Sequence, residues 1–396
     1  MNQITTYNTK TLETILGDLG LPVSFSHMDI GCSTIFYHFD LLNPLDYHKV
    51  NKTAKCLSSM IHKEVEVRQS SSASFCYVIA RDLRDFPNFT TYHSALKGKP
   101  AGEILFGLDE TGKPITRNIR ETKSILIGGS SGGGKSVCLT NILSSLICYS
   151  KPEECGLALI DLKRCEFELF KNSDHLVCPV QFEYQGAYKM LKDVKQTIEK
   201  RYIQMQKQGI RKATIDKFPI LVVVIDEYAE LARHSNKNEL DDIVSSIAST
   251  GRACNVFIIV ATQHAISSII SNTIKSNLQS RIGLKTTNIA QSSCILGVKD
   301  CIHLLGYGDS YMQFDGVVGL HRIQVCNLQD EEINSILEYQ NSKASKIKPK
   351  SSVLSKIKGF FNKIFNKDQK PTKNAKEINN LTIDELNDLD CIEDDE

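Results

Sequence analysis

The chain has 396 residues, 41% of them hydrophobic, enough to bury one large core or two ordinary ones. A formal net charge of +1 excludes a generally basic surface, so any nucleic-acid contact must be local. The longest apolar run, Ile220–Ile225, falls far short of the roughly 18 residues of a membrane span, and Met1–Thr6 lacks the basic-then-apolar layout of a secretory signal.

Residues 1–97 read as a small α/β unit. Thr34–Phe39, Val65–Val67 and Cys76–Ala80 have strand character, Val50–Ile61 reads as a helix, and no catalytic constellation stands out. Residues 98–340 carry five strand candidates: Ser124–Ile127, Leu157–Ile160, Ile220–Ile225, Val256–Val260 and Arg281–Lys285. Several connections between them are long enough for helices, which predicts a mostly parallel sheet with helices on both faces. From 341 the composition shifts to Ser, Lys and Asn, the mark of a tail. The thirteen cysteines are scattered without a Cys-x-x-Cys pair, which argues against a zinc site. Cys138, Cys148, Cys155, Cys165 and Cys178 fall in apolar stretches and are expected as reduced core thiols of a cytosolic protein.

Chemistry concentrates at three strand ends. After Ser124–Ile127 comes Gly129-Ser130-Ser131-Gly132-Gly133-Gly134-Lys135-Ser136, followed by a helix-like stretch. Strand, glycine loop and helix form the context of a P-loop. Its backbone N–H groups and helix dipole cradle phosphates. Lys135 is then expected on the β- and γ-phosphates of ATP, and the Ser136 hydroxyl on Mg²⁺. Ile220–Ile225 ends in Asp226-Glu227. Carboxylates are costly inside, so a buried strand must present them at its end. There Asp226 is placed to hold Mg²⁺ through water, and Glu227 to polarise the water that attacks the γ-phosphate. Val256–Val260 leads to Ala261-Thr262-Gln263, where Gln263 can sense the γ-phosphate.

These residues, in this order, resemble the FtsK/SpoIIIE family of DNA-translocating ATPases, RecA-like motors that form rings. The likeness rests on further stretches: Phe106–Pro114, Leu159-Ile160-Asp161-Leu162-Lys163, Glu199-Lys200-Arg201-Tyr202, Thr250-Gly251-Arg252-Ala253, Ile274–Ile282 and Leu304-Leu305-Gly306-Tyr307-Gly308-Asp309. The resemblance implies a RecA-like P-loop motor at 98–340, ATP and Mg²⁺ as cofactors, double-stranded DNA as the partner and a hexameric ring as the working assembly. It also implies a trans role for Arg252 as an arginine finger, a guanidinium able to spread over the γ-phosphate oxygens as they separate.

Two positions depart from the family pattern. His264 stands where an Arg usually follows Ala-Thr-Gln, and Gln291-Ser292-Ser293 replaces Asp-Ser-Arg. Both changes remove positive charge from the expected DNA grip, leaving Lys275, Arg281 and Lys285 as candidate phosphate contacts. Membrane segments before the motor and a winged-helix module after it are missing from the pattern, so a minimal motor is expected, of the kind carried by plasmids, integrative elements or phages. A protein-export ATPase and a non-hydrolysing ATP-binding scaffold are the alternative readings.

In the tail, Val353, Leu354, Ile357, Phe360, Phe361, Ile364 and Phe365 share one helical face framed by Lys356, Lys358, Lys363 and Lys367. A basic amphipathic helix over 352–367 suits an anionic membrane surface, a membrane-bound partner or the chain's own motor. It predicts a cytoplasmic protein with a peripheral membrane contact. From Glu377 there are nine carboxylates and no Lys or Arg, which reads as a disordered acidic end.

Overall fold

The computed structural model describes residues 7–69, 71–81 and 85–346. The amphipathic segment 352–367 and the acidic end lie outside them.

The first unit is a four-stranded antiparallel sheet of β1 (Val23–Ile30), β2 (Thr34–Leu41), β3 (Val65–Gln69) and β4 (Ser74–Ala80), in the order β1-β2-β4-β3. Alternation along β2 turns Ile35, Tyr37, Phe39 and Leu41 to one face. There they pack against Leu12 and Leu16 of helix Thr9–Asp18 and Leu57 of helix Val50–Ile61. The Tyr77 hydroxyl finds partners inside this core, Val50 O at 2.9 Å and Thr53 Oγ1 at 2.7 Å. Residues 87–96 come next in the chain, but they pack with the second unit. Phe89 and Leu96 lie in its core, and Phe89 N donates to Asn327 O at 2.9 Å.

The second unit is built on a nine-stranded sheet. Its strands are β5 (Glu103–Asp109), β6 (Pro114–Asn118), β7 (Ile125–Gly128), β8 (Cys155–Ile160), β9 (Ile220–Ile225), β10 (Val256–Thr262), β11 (Ser280–Leu284), β12 (Asp309–Gln313) and β13 (His321–Gln324). The order is β6-β5-β13-β12-β11-β7-β10-β9-β8. The five strands expected from the apolar runs form the parallel block β11-β7-β10-β9-β8. Four strands not anticipated, β12, β13, β5 and β6, extend it antiparallel. β12 and β13 are short and rich in polar residues, so they carry no apolar run to announce them.

The parallel block is buried on both faces, which is why its strands read as unbroken apolar runs. Ile125, Ile127, Leu157, Leu159, Val222 and Val224 pack with helices Lys135–Cys148 and Asp330–Lys346. Leu126, Ala158, Ile160, Leu221, Val223 and Ile225 point the other way, onto helices Tyr184–Lys207 and Lys237–Thr250. The register pairs Thr262 with Gly128 and Val260 with Ile225. The strand ends of β7, β10 and β9 are therefore level at one edge, where ligands bind in open α/β sheets.

The two units meet through Arg68 and Glu110, a bidentate pair with Nη2 to Oε1 at 2.7 Å. Ser33 Oγ also reaches Gln324 Oε1 at 3.2 Å. All twelve cysteines among the described residues are free thiols. Burial pushes Cys138 and Cys155 up to about 12 and keeps them protonated. Cys165 is a correction: it is exposed, on the loop after β8.

Candidate active site: a braced phosphate loop and four carboxylates

β7 ends at Gly128 and the loop turns over Gly129–Gly134 into the helix that starts at Lys135. Gly132 and Gly134 hold positive φ, +75° and +101°, which other residues resist. A Cβ on Gly134 would also stand 2.2 Å from Gly308 N. The loop's outer edge is tied down. Ser130 N and Oγ both donate to Lys285 O, at 2.8 and 2.9 Å. Tyr307 N donates to Gly132 O at 3.1 Å and Gly308 N to Gly133 O at 2.9 Å. The bracing turn Gly306-Tyr307-Gly308 has three successive positive φ values, 80°, 52° and 88°. The amides of Gly129, Ser130 and Gly133 are thus engaged within the protein, and those of Ser131, Gly132 and Gly134 are left for an anion. The first N–H groups of any helix lack intrahelical acceptors, so those beginning at Lys135 remain for an anion.

Lys135 is buried, and its Nζ donates to Asp226 O at 2.9 Å and contacts the Asp226 carboxylate. Burial pushes Asp226 up to about 6; Lys135 opposes this, and neighbouring Glu166 and Asp161 add to it. Ser136 Oγ hydrogen-bonds the Glu166 carboxylate. Asp161, fully buried at the end of β8, accepts Glu166 N and Phe167 N on Oδ2, at 2.8 and 3.0 Å. Its Oδ1 is buried with no hydrogen-bond partner. Glu227 accepts Thr262 Oγ1 at 2.6 Å and Gln263 N at 3.0 Å, with Lys163 Nζ at 3.4 Å.

Lys135, Ser136, Asp226, Glu227 and Gln263 thus converge at one edge of the sheet. Sequence reasoning about the site passed over Asp161, Lys163, Glu166 and Thr262. Asp161 and Lys163 stood only within a resembling stretch, and nothing local marks Glu166, which sits in a loop. The signal was available in the strand neighbours: β8 and β9 are parallel and adjacent, so the loops leaving their C-terminal ends must lie side by side.

Arg252 is not part of this cluster. It is exposed in the turn Gly251–Cys254, which precedes β10, whereas Gln263 comes after it. Seven residues of strand separate the two by about 20 Å. Lys285 is exposed beside the P-loop, and Lys275 is half-buried in helix Asn272–Asn277. Arg281 is engaged within the fold: its guanidinium donates to the carbonyls of Lys275, Leu278 and Ile295, at 2.6, 3.3 and 3.3 Å. Burial lowers its pKa. Of the three candidate phosphate contacts, it offers the fewest free donors.

A P-loop at the end of one parallel strand, with a lysine-paired carboxylate at the end of another, defines a P-loop ATPase. Residues 92–215 match the FtsK/SpoIIIE family model. The chain is 32% identical over 264 residues to a DNA translocase FtsK from Staphylococcus epidermidis, an alignment covering 62% of this chain and 33% of that protein. Among solved structures it is similar to the pCW3 conjugation coupling protein TcpA in its monomer form with ATPγS. That match has a TM-score of 0.59 at 18% identity, covering 84% of this chain and 99% of TcpA. The cytoplasmic domain of the type VII secretion ATPase EccC from Thermomonospora curvata has the same fold, with a TM-score of 0.54 at 21% identity over 63% of this chain and 32% of that one. The chain carries an FtsK/SpoIIIE-type ATPase domain. It spans about a third of the length of the curated relatives it matches. No helix among the described residues is long and apolar enough to cross a membrane.

Proposed function

We propose that the chain is an ATP-hydrolysing double-stranded DNA translocase working as a homo-oligomeric ring, a hexamer in the simplest case. The observation that carries this reading is the level placement of the P-loop, Asp226-Glu227 and Thr262-Gln263 on three adjacent strand ends. The likeness to FtsK translocases then supplies DNA as the substrate.

In this reading the P-loop, residues 129–136, cradles the phosphates through the amides not engaged elsewhere, those of Ser131, Gly132, Gly134, Lys135 and Ser136, and Lys135 leaves Asp226 to neutralise the β- and γ-oxygens. Mg²⁺ fits the donor set, because Ser136 Oγ and the carboxylates of Asp226 and Glu166 are hard oxygen ligands and Asp161 Oδ1 in the same cluster is unsatisfied. When bound, it supplies charge neutralisation across the transferring phosphoryl group. Glu227, fixed by Thr262 and Gln263 N, orients the attacking water. Gln263 reports the γ-phosphate to the loop that begins at His264. Arg252 stands about a strand's length from its own P-loop, so it can complete only a neighbour's site, and ring assembly becomes a condition of turnover.

Lys275 and Lys285, with Arg281 in a lesser role, are the proposed backbone contacts. Such a grip is indifferent to sequence and weakens with salt. The cargo is DNA of a plasmid, integrative element or phage, moved in the cytoplasm, with 352–367 as a contact to the membrane surface or a membrane-bound partner.

The test is ATPase turnover against added duplex DNA, with displacement of a third strand from a triplex to register movement. Stimulation by duplexes of unrelated sequence, falling steeply with salt, is expected. No stimulation by DNA, with stimulation by a secreted substrate's signal peptide, would replace this reading with protein export.

A further inference from the structure

The outer face of the small sheet carries a cluster that the ATPase site does not use. β1 begins with Val23 and Phe25 turned into the core. Its register against β2 then shifts between Phe25 and His27, with Ser26 as the extra residue of a bulge. A bulge re-aims the side chains beyond it. Here Met28 becomes the core residue, and His27 and Asp29 face outward with His38 of β2. In strict alternation His27 and Asp29 would have joined Val23 and Phe25 on the inner face.

Three ligand atoms converge as a result. His38 Nε2 lies 3.2 Å and His27 Nε2 3.8 Å from Asp29 Oδ2. All three atoms fall within 4.8 Å of one another. A tetrahedral ion bound at about 2.0–2.1 Å spaces its ligands about 3.3 Å apart, close to what is found. His38 Nε2 is buried and faces the Asp29 carboxylate, which places this ligand atom out of bulk water. Ser26 Oγ lies 3.1 Å from His27 Nδ1, the kind of outer contact that fixes a ligating ring and leaves Nε2 free. The two rings are stacked, 4.0 Å apart and 7° from parallel. To aim both lone pairs at one ion, His27 must tilt, and its side chain is 59% exposed.

We propose that His27, Asp29 and His38 form a binding site for a divalent transition metal ion of the zinc, cobalt and nickel class, with water in the remaining position. Two imidazoles and one carboxylate match that class. The ion would pin the edge strand β1 to β2. It is remote in function from nucleotide turnover, which needs Mg²⁺ and oxygen ligands.

Cobalt(II) is the probe, because its spectrum separates this site from the chain's thiols and from the carboxylates of the ATPase site. The full chain, stripped with chelator and held in nucleotide-free and Mg²⁺-free buffer, is titrated with Co²⁺. Expected are the intense visible bands of a tetrahedral nitrogen–oxygen site saturating at one ion per chain, no near-ultraviolet thiolate band, and a rise in melting temperature. His27→Ala and His38→Ala should each abolish the bands. Asp29→Ala, more exposed than His38, keeps the test decisive if His38→Ala folds poorly. The proposal is overturned if the bands survive these substitutions or a thiolate band accompanies them. It is equally overturned if only the faint bands of octahedral, oxygen-ligated cobalt appear.

Discussion

Lys135 Nζ donates to the backbone carbonyl of Asp226 and rests against the same residue's carboxylate, with both side chains buried. The lysine expected on the nucleotide phosphates is thus held by the carboxylate expected near Mg²⁺. Each keeps the other's charge compensated in a place where an unpaired ion is costly. Nucleotide entry must exchange this ion pair for two new ones, phosphate with lysine and metal with carboxylate.

Lys135→Ala should therefore abolish ATP binding, and it also leaves Asp226 buried without its cation, so a lower melting temperature is expected. Glu227→Gln keeps the cradle intact and should bind ATP with near-normal affinity while turnover falls by at least 10²-fold, in the range of positioned general bases. Equilibrium binding of a labelled nucleotide and steady-state phosphate release separate the two. Normal turnover in Glu227→Gln would mean that another group orients the water.

Arg252 and Gln263 flank β10 from opposite ends. Arg252→Ala should leave ATP affinity nearly unchanged and remove hydrolysis in the assembled ring. Mixing it with Lys135→Ala subunits should restore part of the activity, because each supplies what its neighbour lacks. Mixtures that stay inactive at concentrations where rings are seen by mass photometry would make Arg252 a turn residue only.

The parallel half of the sheet was legible because strands buried on both faces must be apolar throughout, as in Val222-Val223-Val224. The loop residues 129–136 were legible because their spacing is itself the chemistry. β1 was not, since its bulge at Ser26 breaks the alternation and most of its residues are partly or fully exposed. Arg281 read as a free cation, yet it is held by three carbonyls that only the fold brings to it. The bracing role of Gly306-Tyr307-Gly308 was hidden for the same reason, because about 170 residues of chain separate it from the loop it supports.

That brace predicts a further effect. Gly308 has φ +88°, and a Cβ there would stand 3.1 Å from Gln324 Nε2. Gly308→Ala should strain the turn by about 1–2 kcal/mol and weaken ATP binding roughly tenfold for each 1.4 kcal/mol passed to the loop. Gly316→Ala is the control. It has φ +73° with open space around it, so it carries similar backbone strain away from the site. Calorimetric ATP titration should separate them: both variants melt earlier, and only Gly308→Ala loses affinity. Equal affinities would show that the turn does not shape the P-loop.

Asp193, on helix Tyr184–Lys207, is 6% exposed and its Oδ2 has no hydrogen-bond partner. Burial pushes its carboxyl from 3.8 up to about 6, against the opposing pull of Lys189 and Lys200. The folded state therefore holds a proton that the unfolded chain releases at lower pH. This group's contribution to stability is most favourable below about pH 4, falls as pH rises through about 6, and is flat above. The difference of about two pH units corresponds to about 3 kcal/mol at most. Asp193→Asn removes the charge and keeps the shape, so its advantage over the parent chain should be near zero at pH 4 and reach its full value by about pH 7. Paired thermal melts across that range give the difference directly and cancel the titration of every other group. A constant offset between the two chains, or a parent that is the more stable at pH 7, would mean that Asp193 is stabilised as an anion by contacts beyond those two lysines.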